Sequence, residues 1–148
     1  MTEDYILRNN TLQKADTVWK AWTSGDLDQM LKVLNVPTNP KDRHFLLLSI
    51  ISETYKLRKT DPATKELCEK IAWMHLKELP GIIQHLKSST AELPRISTFQ
   101  NLASLLTEKG EYQKAIEVCE LAISYGLSDK TQGGFQGRID RIKKKMKQ

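Results

Sequence analysis

Apolar residues recur along this chain at spacings of three and four, the period of a helix with one buried face. Leu12, Ala15, Val18, Trp19 and Trp22 make a first stripe. After the turn SGD, Leu27, Met30, Leu31 and Leu34 make a shorter one, closed by Pro37 and Pro40. A third helix is expected from about Asp42 to Arg58, with Leu48, Ile51 and Tyr55 on one face. Asp61-Pro62 reads as an N-cap followed by a proline in the first turn, opening a helix that carries Leu67, Cys68, Ile71, Met74 and Leu79. Pro80-Gly81 is expected to break that helix ahead of a short segment, GIIQHL, and a polar link, KSSTAELP. Beyond Pro94, Phe99, Leu102, Ala103 and Leu106 precede the turn EKGEY, and Tyr112, Ala115, Ile116, Cys119 and Ala122 follow it. Gly126 suits a helix C-cap, and Lys130-Thr131 is expected to open a last helix with Phe135, Ile139, Ile142 and Met146 along its seam. Strand-like alternation bounded by turn residues is absent from this reading. All-α is the class that fits.

Two of these hairpins look alike. At an offset of 51, Cys68 falls on Cys119, Glu66 on Glu117, Leu67 on Val118 and Glu69 on Glu120. The same offset lays Leu48 on Phe99, Ile51 on Leu102, Ser52 on Ala103, Tyr55 on Leu106 and Thr64 on Ala115. Large residues match large ones and small match small, which is the mark of a duplicated unit. The cysteines sit on the apolar stripe of each unit, where cysteine behaves as a small hydrophobe.

Phe99-x-x-Leu102-Ala103-x-x-Leu106, then Gly110-x-Tyr112-x-x-Ala115-x-x-x-Cys119-x-x-Ala122, resembles a tetratricopeptide repeat. It departs from the family in having Leu127 where a closing proline is usual and Cys119 where an aromatic is usual. A weaker first unit is suggested by Gly25-Asp26-Leu27-x-x-Met30. The resemblance implies a single domain over residues 1–148, an α-α superhelix of about three antiparallel hairpins near 11–36, 42–79 and 95–126. A capping helix near 131–147 would close it. It further implies a scaffold or adaptor without enzymatic activity that holds another protein or peptide on the concave face. The corresponding positions are Ser49, Glu53 and Lys56 on one unit and Gln100, Ser104, Thr107 and Glu108 on the next, with Arg95 nearby. Family members that clamp a carboxylate present lysine, arginine and asparagine there; these positions are mostly neutral or mixed, which argues against a C-terminal carboxylate as ligand.

Charge changes the picture at one end only. The net charge is +5, and the segment from Arg138 to Gln148, with six bases and one acid, carries all of it. Lys143, Lys144, Lys145 and Lys147 therefore offer an alternative function, binding nucleic acid or another anion. No aromatic residue interleaves these lysines, and lysines at a helix C-terminus also complement the macrodipole. Gly133, Gly134 and Arg138 form a second anion-binding candidate, since glycines at a helix start expose N–H groups. The competing reading is a close helix crossing for which the glycines make room. Self-association through the first hairpin, with Trp19 and Trp22, is a third possibility, so a second copy of the chain is a candidate partner.

Two cysteines and three histidines supply the ligands a metal site would need. Cys68, Cys119, His44, His75 and His85 show neither CxxC nor HxxxH spacing, so neither metal nor cofactor is expected. No nucleophile elbow, phosphate loop or paired-carboxylate motif points to catalysis. The first ten residues, MTEDYILRNN, carry acids where a signal peptide needs bases, and no apolar run is long enough to span a bilayer. A cytoplasmic protein with reduced thiols is expected.

Overall fold

In the computed structural model, residues 5–8, 11–89 and 96–148 are described. Among them, seven helices carry the fold: α1 (Thr17–Ser24), α2 (Leu27–Lys32), α3 (Pro40–Leu57), α4 (Pro62–Ser89), α5 (Thr98–Glu108), α6 (Tyr112–Ser124) and α7 (Gly134–Met146). The class is all-α. A two-stranded ribbon precedes the helices, with β1 (Tyr5–Arg8) antiparallel to β2 (Thr11–Lys14) and Arg8 opposite Thr11.

That ribbon corrects the expectation of a helix from Leu12, which lies in β2. The first helix starts only after Asp16, whose carboxylate accepts from the Trp19 amide at 2.8 Å and the Thr38 hydroxyl at 2.6 Å. Asp16 is thus both an N-cap and a tie to the link before α3.

The second correction is Pro80. Helix α4 continues through it, 28 residues without a break. A proline in a helix interior costs about 3 kcal/mol through the lost hydrogen bond and the ring clash. Beyond it, Ile82, Ile83 and Leu86 are buried and continue the stripe of Leu76 and Leu79. Each such burial stabilises by about 1.5–3 kcal/mol, so the three together outweigh the proline. Pro80 itself points to solvent. The third correction lies at the other end: α7 begins at Gly134, after a turn, rather than at Thr131.

Each helix packs on its neighbour in sequence, and α1 also packs on α3, and α3 on α5. The core runs continuously from Val18 and Met30, through Leu46, Ile50, Ile51 and Ile71, to Phe99, Leu102, Leu106, Phe135 and Ile139. Trp22 belongs to it: its ring stacks on Phe45 at 4.9 Å, and its Nε1 donates to Asp42 at 3.1 Å. Both cysteines are fully buried free thiols, one under α3 and α4 and the other under α5 and α6. Ala103, Ala115 and Ala122 are also fully buried, which lets helix backbones approach closely. Gly110 and Gly126 have φ of 79° and 73°, the left-handed region that a side chain resists. Each follows a helix end where the next amide reaches back five residues, Glu111 to Leu106 and Leu127 to Ala122. These are Schellman closures that satisfy the last carbonyls of α5 and α6.

Candidate functional site

Helix α7 places Arg138, Arg141, Ile142 and Lys145 on one face, at intervals of three and four. Facing them are Ser104, Thr107 and Glu108 of α5 and Tyr55 of α3, around a cleft of about 310 Å³. Side chains of α3, α5 and α7 therefore line one cleft.

Arg138 locks the two walls together. Its Nε donates to Asp129 at 2.8 Å, and its Nη1 donates to Ser104 Oγ at 3.0 Å. The Asp129 side chain is fully buried, and burial alone would raise its pKa. Hydrogen bonds from Thr131 and Arg138 overcome that penalty and hold the carboxyl below its ordinary value. At the far wall Arg58 grips Glu108 with two nitrogens, Nη2 at 2.8 Å and Nε at 3.1 Å. Those hydrogen bonds are the main reason the Glu108 carboxyl is held low. The Arg58 guanidinium also lies 3.7 Å above the Tyr55 ring, covering that face. Arg141 donates from Nη1 to the Gln132 carbonyl at 3.2 Å, and Lys145 stands exposed at the rim.

Of the residues singled out in the sequence, Ser104, Thr107, Glu108, Arg138 and Lys145 line this cleft. Glu53 and Lys56 instead pair with each other at 3.2 Å on α3, and Ser49 and Gln100 lie partly buried outside the lining. Arg95 lies outside the described residues. Lys143, Lys144 and Lys147 are exposed and do not line the cleft. Gly133 and Gly134 form the tight entry to α7, and the closest approach there belongs to Gly137, where a Cβ would meet the Gln132 carbonyl oxygen at 2.5 Å. The close contact is thus between α7 and its own leading turn. Tyr55, Arg141 and Ile142 were missed as lining residues, because their meeting is a matter of packing between distant elements. The available signal was the helical spacing of Arg138, Arg141 and Lys145.

No protein-family model, curated protein or solved structure matches the chain.

A second polar constellation lies in the core. His44 Nδ1 and His75 Nε2 are 3.0 Å apart, and His75 Nδ1 is 2.7 Å from Thr98 Oγ1, joining α3, α4 and α5. Both rings are fully buried, and His44 Nε2 has no hydrogen-bond partner. Burial pushes His44 down to about 4. Burial first, then the neighbouring His44 and Arg43 charges, push His75 down to about 3. Both imidazoles are neutral at ordinary pH. Among the described residues there is no group of three or more histidines, cysteines or acids able to hold a metal ion. Burial raises both thiols, Cys119 to about 11, so neither is a ready nucleophile. No helix among the described residues is long and apolar enough to cross a membrane.

Proposed function

We propose that this chain is a protein-binding module, a tetratricopeptide-like stack of helical hairpins whose ligand lies in the cleft between α3, α5 and α7. The observation that carries the reading is the cleft itself, lined by side chains of three helices from across the sequence. The packing order supports it: α1 lies on α3 and α3 on α5, as first helices of successive hairpins do in such stacks. Within the cleft, Glu108, Arg138 and Ser104 are committed to ion pairs and hydrogen bonds rather than set as nucleophile and base, which favours binding over catalysis. Two buried, unpaired thiols agree with a reducing compartment such as the cytoplasm. Trp22 is engaged with Phe45 and Asp42, which leaves less of it for self-association.

Thr107→Trp would fill the cleft from a half-buried position on α5. Proteins retained from the host by the wild type and by this variant are compared by mass spectrometry. The reading expects a defined subset to be lost, and identical sets would refute it.

A further inference from the structure

Building on the cleft as the binding site, we infer that its ligand is an acidic segment of a partner protein, with a carboxylate held between Arg141 and Lys145. The charges of the lining decide this. Glu108 is already neutralised by Arg58, and Arg138 by Asp129. No described carboxylate pairs with Arg141 or Lys145. These two cations stand about one turn apart on the same face of α7, so one carboxylate can reach both.

The rest of the cleft suits a peptide. Ile142, which is buried, and Tyr55 both line it, giving an aliphatic side chain an apolar seat. The Thr107 hydroxyl, on the opposite wall, offers a polar contact to peptide backbone; its oxygen donates to the Ala103 carbonyl at 2.7 Å and keeps acceptor capacity. Nucleic acid suits it less well. The one aromatic ring of the lining, Tyr55, has a face covered by Arg58, which denies a base that stacking surface.

Displayed random peptides are selected against the full-length protein, and the selected peptide is then measured by fluorescence anisotropy. It is tested on wild type, Thr107→Trp, the double variant Arg141→Gln/Lys145→Gln, and Lys145→Gln alone. Selected sequences should carry Asp or Glu beside an aliphatic residue. The double variant should bind about tenfold more weakly, as should a peptide with its acids changed to amides. The single variant should lie between, and added salt should weaken the wild-type complex. A pool without acidic residues that is still lost in Thr107→Trp would overturn the acidic ligand and leave the cleft standing. A pool indifferent to Thr107→Trp would overturn the cleft reading itself, and failure to select any peptide would overturn both. Displacement of the peptide by oligothymidylate, with that oligonucleotide losing affinity in the double variant, would make the ligand a nucleic acid and overturn the proposal.

Discussion

Acid should unfold this protein earlier than its carboxylates require, because His44 and His75 are buried neutral. Each has an unfolded-state pKa near 6.5, against folded values of about 4 and about 3. A depressed folded value means that the unfolded chain binds protons first. The stability tied to the neutral rings is present above pH 6.5 and is lost as pH falls from there toward the folded values. At pH 5 each unfolded histidine gains about 2 kcal/mol from protonation while the folded ring stays neutral, so the pair costs about 4 kcal/mol between pH 8 and pH 5. That is a large part of a typical stability of about 5–15 kcal/mol. The geometry adds its own obstacle, since with both rings charged two N–H groups would face each other across 3.0 Å. Urea titrations followed by circular dichroism at pH 8, 7, 6 and 5 measure the slope. The carboxylates of Glu69, Glu108 and Asp129, held low by their partners, lose their contribution mainly below about pH 5 and leave this window to the histidines. Stability at pH 5 within about 1 kcal/mol of that at pH 8 would refute the reasoning, as would assigned ring protons of His44 and His75 titrating near 6.5 in the folded protein.

Two further substitutions probe the backbone. Pro80→Ala should restore a helical hydrogen bond in α4 and stabilise by up to about 3 kcal/mol, read as a higher urea midpoint; an unchanged or lower midpoint would mean that the helix is built around the ring. Gly137→Ala should drive a methyl against the Gln132 carbonyl and destabilise by about 1–3 kcal/mol, with faster amide exchange in α7 than in α5; normal protection of α7 would show that the turn relaxes freely.

The helices that the sequence made legible are those whose stripes bury into one neighbour. In α5 and α6 the apolar spacing, Gly110 and Gly126 all agree with one another, and the structure follows them residue by residue. At Pro80 a local rule met a tertiary one, and the burial of Ile82, Ile83 and Leu86 decided it. The ribbon escaped because Leu12 fits a helical stripe as well as a strand, and Asp16 sets the helix start only through its contacts. Half the cleft was readable, since Ser104, Thr107 and Glu108 are spaced along one helix. Arg138 and Lys145 were marked by their charge, but not as part of the same cleft, because nothing local says that α7 faces α5. The mostly neutral lining that argued against a carboxylate belonged to one wall; Arg141 and Lys145 come from the other.

The two buried thiols have a use beyond packing. Cys68 on α4 and Cys119 on α6 are both sealed from solvent. An alkylating reagent reaches each one only when its own pair of helices opens. The chain thus carries two internal clocks, one in α3–α4 and one in α5–α6, and the ratio of their rates tells whether the helices open as one body or pair by pair.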